Sequence, residues 1–211
     1  EAAAKLCAIG AFLYAGQICI STQKILVHAT VFNAFKPLLI AEIEKLKIGD
    51  PRDEDVMISS IIQPVHVKRI GDWVNEAVEA GAEVLTGGKV IDQAHGLYAP
   101  TLLTNTKKGM KVCDLEAFGP IAVLEKFDSF EEAITMSNDS TFGLQAGVFT
   151  NQFDHVKMAH EDLEVGGVMI NNIPGFRIDS MPYGGVKDSG LGREGIKYTM
   201  EEMTEPRLLV Y

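Results

Sequence analysis

The sequence predicts an α/β fold: a mainly parallel sheet covered by helices, closed by a C-terminal strand that needs a partner. Three observations predict it. Helical and extended segments alternate along the chain, as they do where crossover helices join parallel strands. The 211 residues suffice to bury one substantial core. No internal repeat, low-complexity segment or linker rich in Pro, Gly or Ser divides them.

The elements follow in order. Glu1-Ala2-Ala3-Ala4-Lys5 opens the chain in strong helix formers with no initiating Met and no cap, so the sequence is expected to begin inside an element of a longer protein. This first helix should run from Ala2 to Ala15 and stop at Gly16. Lys24 to His28 is short and rich in branched residues, the composition of a strand. From Thr30 to Lys47, Val31, Phe35, Leu38, Leu39, Ile43 and Leu46 recur at helical spacing, with Pro37 a candidate kink. A second amphipathic helix is predicted from Pro64, showing Val67, Ile70, Val74, Ala77 and Val78 on one face and ending at Gly81. Glu83 to Thr86 and Ile121 to Phe127 read as strands. Ser129-Phe130-Glu131-Glu132 has the spacing of a capping box. Gln145 to Thr150 and Gly167 to Asn171 are expected to join the same sheet, around a helix capped by Asn151. Between Tyr183 and Gly195 the glycines are too dense for a regular element and predict a shaped loop leading into a helix. Pro206 to Tyr211 looks like an isolated strand, and such an edge demands a partner.

Composition excludes several classes of function. With 46% hydrophobic and 23% charged residues and no uncharged apolar run of membrane-spanning length, the chain reads as globular and not membrane-bound. A formal net charge of -10, with no local run of Lys and Arg, would repel a phosphate backbone, so nucleic acid is not an expected partner. Cys7, Cys19 and Cys113 are too few and too far apart for a disulfide framework or a zinc cluster. No metal site is expected, and a reducing compartment, the cytoplasm, fits best.

Pattern alone does not rank the three cysteines, since a free cysteine is usually a small buried hydrophobe. Context singles out Cys19. Gly16-Gln17-Ile18-Cys19 places a thiol just past a helix end, in a turn opened by glycine, where backbone N–H groups can face a developing oxyanion.

That segment resembles the Gly-Gln-X-Cys nucleophile segment of the aldehyde dehydrogenase superfamily. Glu116-Ala117-Phe118-Gly119-Pro120 is similar to the family's Glu-X-Phe-Gly-Pro motif. Pro182 to Gly190, continuing through Gly192-Arg193-Glu194, resembles its C-terminal glycine-rich loop. The resemblance spans essentially the whole chain and maps it onto the second half of a family member. It implies a catalytic domain over residues 1–203, an oligomerisation strand over 204–211, and an N-terminal dinucleotide-binding domain absent from this sequence.

What the resemblance implies for function is aldehyde oxidation with NAD or NADP, through a thiohemiacetal and then a thioester on Cys19. Glu116 would accept hydrogen bonds from the nicotinamide ribose, and Phe118 would pack beside the nicotinamide ring. His66 and Arg69 occupy further ribose-contacting positions, although a solvated helix face also explains both. Arg177 would line the aldehyde entrance and receive an anionic substrate; the competing reading is a structural arginine paired with Asp179 or a neighbouring carboxylate. The family's general base lies further before the cysteine than the eighteen residues available here, so Glu1 is not that base. A small-molecule aldehyde is the implied partner, together with further copies of the full-length subunit, and the isolated chain is expected not to turn over. Departures from the family pattern include Tyr14 where many members carry Asn, Tyr183 in place of a frequent Phe, and Asp55 to Ser60 in place of Val-Gly-Pro. Two alternatives stay open: a coenzyme A-acylating relative, and a non-catalytic scaffold or binding domain in which Cys19 is structural.

Overall fold

The computed structural model describes residues 1–211. In chain order its elements are α1 (Ala2–Phe12), β1 (Lys24–His28), α2 (Ala29–Glu44), α3 (Pro64–Glu79), β2 (Glu83–Thr86), β3 (Val90–Asp92), β4 (Leu97–Tyr98), β5 (Thr101–Thr104), α4 (Lys111–Asp114), β6 (Ile121–Phe127), α5 (Phe130–Asn138), β7 (Phe142–Gly143), β8 (Gln145–Val148), α6 (Phe153–Asp162), β9 (Gly167–Ile170), β10 (Val186–Lys187) and α7 (Ile196–Glu202). The main sheet has the order β1-β6-β5-β2. Strands β1, β6 and β5 are parallel neighbours, with Lys24 opposite Val123 and Leu102 opposite Ala122, and β2 closes the edge antiparallel to β5.

Burial explains the choice of centre. Residues Ile121 to Leu124 of β6 are all buried, the near-continuous apolar run of a strand covered on both faces. They join Leu102 and Leu103 of β5, Phe12 of α1, and Val67, Ile70 and Val74 of α3 in one core of 28 residues. Each fully buried Leu, Ile or Phe there contributes about 1.5–3 kcal/mol through the apolar area it removes from water.

Three expectations are corrected. Strands β8 and β9 pair with each other in parallel but form a separate two-stranded sheet, backed by Ile134, Ala159 and Leu163 of a second, smaller apolar cluster, so they do not extend the main sheet. Helix α6 is preceded by Gln152, which makes no side-chain cap; the Thr150 hydroxyl accepts from the Gln152 N–H, and Asn151 caps nothing. The buried stripe of α2 is Phe32, Leu39 and Ile43, whereas Val31 and Leu38 face solvent, and the helix passes through Pro37 without a break. The capping box of α5 does form, with the Ser129 hydroxyl accepting from the Glu132 N–H. Glu132 itself reaches back to the N–H of Asp128, one residue earlier than in the ideal motif.

Residues 206–211 form no regular element and are unpaired, with no hydrogen bond in this chain beyond Thr204. A strand is defined by its ladder, so the expected C-terminal strand has no counterpart within a single chain. No helix is long and apolar enough to cross a membrane.

Candidate active site

The turn that carries Cys19 is built by strain and repaid by contacts. Helix α1 ends at Phe12, three residues before the expected last helical residue, Ala15, because the chain tightens into a 3-10 turn over Leu13–Gly16. Within it Tyr14, Ala15 and Gly16 are all left-handed, with φ of 53°, 56° and 70°. Two of the three carry a Cβ, so this conformation costs free energy that surrounding contacts must offset. Those contacts are specific. The Gln17 side chain donates to the carbonyls of Tyr14 (3.1 Å) and Ser60 (3.3 Å) and accepts from the Ile62 N–H (2.9 Å). The Ser21 hydroxyl donates to the Ala11 carbonyl (3.1 Å), and the Thr22 N–H donates to Gly10 (3.0 Å), folding the turn back on α1.

Cys19 lies at the tip, in the turn closed by the Ser21 N–H on the Ile18 carbonyl at 3.0 Å. Of the three thiols it is the exposed one. Cys7 is buried in α1 and its thiol is pushed up to about 11 by burial; Cys113 is half-buried and is raised chiefly for the same reason. A thiolate is the nucleophile, so both are poorer candidates than a solvent-facing turn cysteine. The backbone N–H groups of Cys19 and Ile20 donate to no group of the chain, which leaves two dipoles available beside the thiol.

Gly16 joins this turn to the Glu116–Pro120 segment. A Cβ on Gly16 would lie 2.1 Å from the Gly119 carbonyl oxygen, so only glycine permits the approach. Gly119 is itself wedged against Ile70 of α3, where a Cβ would meet the side chain at 2.5 Å. Between the buried residues Ala117 and Gly119, Phe118 adopts φ 45° and is itself 40% exposed. Glu116 is exposed and makes no hydrogen bond or ion pair within the chain.

The remaining sequence candidates fall on two flanks. His66 and Arg69 lie one turn apart on α3. Arg69 donates to the Ala117 carbonyl (2.6 Å) and stacks over the Trp73 ring (4.8 Å), and burial lowers its guanidinium below the usual range. His66 is half-buried and its ring makes no hydrogen bond. On the other flank Arg177 pairs with Glu194 at 3.0 Å, not with Asp179, and lies 4.3 Å over the ring of Tyr183. Tyr183 and Glu194 exchange backbone hydrogen bonds. Burial, and secondarily the negative charge of the Cys19 thiolate, raise the Tyr183 phenol. The loop before Arg177 is supported by Gln145, which donates to the carbonyls of Pro174 (2.5 Å) and Phe176 (3.2 Å).

Sequence reading missed Gln23 and Gln145, and it quoted Glu194 only as part of the glycine-rich loop, not as the partner of Arg177. All three act across long sequence separations, and an isolated Gln or Glu carries no local signal of such a role. Gln23 is the most connected: its side chain bonds Val112, Leu115 and Ala117.

An α/β fold in which an exposed turn thiol is locked by glycine to a Glu-Ala-Phe-Gly-Pro loop has close solved counterparts. Aldehyde dehydrogenase 21 from Physcomitrella patens, in complex with the reaction product succinate, superposes with a TM-score of 0.92 and 38% identity, covering 97% of this chain and 42% of that one. Glyceraldehyde-3-phosphate dehydrogenase from Methanocaldococcus jannaschii, complexed with NADP, gives 0.89 and 37%, over 95% of this chain and 43% of that one. The chain belongs to the aldehyde dehydrogenase family, whose model matches residues 1–209. It is 46% identical over 210 residues to the 3-sulfolactaldehyde dehydrogenase of Priestia megaterium, covering 100% of this chain and 43% of that protein. It is 43% identical over 208 residues to the lactaldehyde dehydrogenase of Methanococcus maripaludis, covering 99% and 44%. The chain thus spans less than half the length of the curated relatives it matches.

Proposed function

We propose that this chain supplies the nucleophile and the nicotinamide-facing wall of an aldehyde dehydrogenase, with Cys19 forming the covalent bond to substrate. One observation carries the reading: the single exposed thiol sits on a turn with unspent N–H groups, and Gly16 fixes that turn against the loop bearing Glu116 and Phe118.

The Cys19 thiolate adds to the aldehyde carbon, forming a C–S bond and moving the carbonyl electron pair onto oxygen. The Cys19 N–H is placed to stabilise that oxyanion. A bound NAD or NADP supplies the acceptor for the hydride that leaves this carbon. Sulfur then carries the acyl group as a thioester. Water adds to its carbonyl, the C–S bond breaks, and a carboxylate and the Cys19 thiolate are released while the two protons of the water pass to solvent. The residues on this face fit the dinucleotide. Glu116 is an exposed carboxylate without a partner in the chain, able to accept from ribose hydroxyls, and the half-exposed Phe118 ring offers an apolar wall for a planar heterocycle. His66 lies on the same flank and can donate to a ribose hydroxyl.

The substrate we propose is a short aldehyde bearing an anionic group. Relatives of this chain include a 3-sulfolactaldehyde, a sulfoacetaldehyde and an aspartate-semialdehyde dehydrogenase. Arg177, stacked on Tyr183, is the cation we assign to such a group.

The test is to mix the chain with p-nitrophenyl acetate. A stoichiometric burst of nitrophenolate that disappears in Cys19→Ser is expected; a burst that survives the substitution moves the nucleophile elsewhere.

A further inference from the structure

Ala117 is held by both of its backbone polar groups. It is 1% exposed, so neither group can turn to water. Its N–H donates to Oε1 of Gln23 (2.9 Å), and its carbonyl accepts from Nη2 of Arg69 (2.6 Å). The other end of the Gln23 amide donates to the carbonyls of Val112 (3.1 Å) and Leu115 (2.7 Å), so one side chain satisfies backbone groups on both sides of Glu116. Arg69 is fixed from behind by the Trp73 ring. The next residue, Phe118, is left-handed at φ 45°, a conformation that a residue with a Cβ keeps only when its surroundings dictate it.

Gln23 also belongs to the Cys19 stretch. It lies four residues after the thiol, and its carbonyl accepts from the Val123 N–H (2.8 Å) at the entry to β1. The thiol turn and the Glu116–Phe118 loop are therefore referenced to one side chain. We propose that Gln23 and Arg69 are positioning residues that grip Ala117 and thereby hold Glu116 and Phe118 in fixed relation to Cys19. The functional weight of this grip rests on the reading above, in which Glu116 and Phe118 receive the dinucleotide.

Competing explanations differ in what they disturb. A residue that only stabilises the fold would, when replaced, loosen the sheet along with the loop. A positioning residue frees the loop alone, because β1 and β6 keep their own ladder of backbone bonds. Methionine matches glutamine in length but offers no comparable hydrogen bond, so Gln23→Met leaves one buried N–H and two carbonyls without their partner while filling the same space.

The experiment is amide hydrogen exchange on the whole chain, comparing it with Gln23→Met, Arg69→Met and Arg69→Lys. In Gln23→Met the Ala117 amide should exchange roughly twofold to tenfold faster, the effect of losing one net hydrogen bond. Residues 117–119 should accelerate similarly in Arg69→Met and regain protection in Arg69→Lys, which keeps a charged donor on a long stem. Amides of β1 and β6 should keep their rates in every variant, and the Cys19 ester burst of Gln23→Met should stay within about twofold of the unaltered chain. Unchanged exchange at Ala117 in Gln23→Met, or equal acceleration across β1 and β6, overturns the proposal. Failure of the dehydrogenase reading shows separately, as a missing Cys19-dependent burst in the unaltered chain.

Discussion

Arg177 illustrates how one residue can carry both competing readings. Its pairing with Glu194 across a 3.0 Å contact is a surface ion pair, of a kind that contributes at most about 1 kcal/mol when exposed. Its stacking on Tyr183 orients the guanidinium more firmly than the ion pair does, because the ring is itself buried and fixed by backbone bonds to Glu194. A guanidinium has donors to spare, so an incoming anion can share it with Glu194 without displacing that carboxylate. In an assembled enzyme containing this chain, Arg177→Ala should raise KM for an aldehyde carrying a carboxylate or sulfonate by about tenfold or more. For an uncharged aldehyde of equal length KM should stay within about twofold. Steady-state kinetics on the two substrates checks this. Equal effects on both would leave Arg177 as a structural partner of Glu194. The sequence drew attention to this arginine and to the loop that bears Glu194, but not to their pairing across seventeen positions of chain whose shape depends on its glycines.

At the scale of the element, the turn from Gly16 to Thr22 stands on several specific bonds and one unmade one. Thr22 is buried, and its hydroxyl is the one fully enclosed side-chain polar atom without a hydrogen-bond partner. It lies against Gly10 of α1, where a Cβ would approach that oxygen to 2.7 Å. A buried hydroxyl with no partner has lost its hydration for nothing, so Thr22→Val should stabilise the chain by about 1 kcal/mol and raise Tm by about 2–4 °C. Thermal denaturation measures it; a lower Tm would mean that the extra bulk of a methyl at the Gly10 crossing outweighs the relief. The same turn shows where reading a sequence succeeds and where it stops. Strands β1, β2 and β6 lie where local composition puts them, as do Val67, Ile70, Val74 and Ala77 on the buried face of α3, because one or two covered faces leave a periodic record; Val78, expected on that face, turns to solvent instead. Strand β5 went unread although Leu102 and Leu103 are fully buried, since four residues between Pro100 and Asn105 are too short to show a period. The early end of α1 was equally hidden: nothing local forces Tyr14 and Ala15 into left-handed backbone, and the contacts that do so come from Ser60, Ile62 and Gly119. The three motifs located Cys19, Glu116 and Phe118 in the chain, but not Gln23, whose importance exists only once the loop has folded over it.

The whole molecule presents its C-terminal segment to solvent. Leu208, Leu209, Val210 and Tyr211 are each at least 79% exposed, and no hydrogen bond ties residues 206–211 to the rest of the chain. Four consecutive large apolar side chains on a backbone with free N–H and C=O groups form the sort of segment that soluble proteins ordinarily cover or blunt. Neither device is visible here: Pro206 and Arg207 precede the apolar run and do not interrupt it. Within the chain the segment contributes nothing to the core, so deleting residues 206–211 should leave Tm unchanged. We expect its role to be association with another copy, since a second chain can supply both the ladder and the apolar cover. Light scattering over a concentration series should give a mass that rises above that of one chain for the unaltered protein and stays lower after the deletion. A mass of one chain at every concentration with the segment present would sink this expectation. A fall in Tm on deletion would instead mean that the segment packs on its own domain in solution.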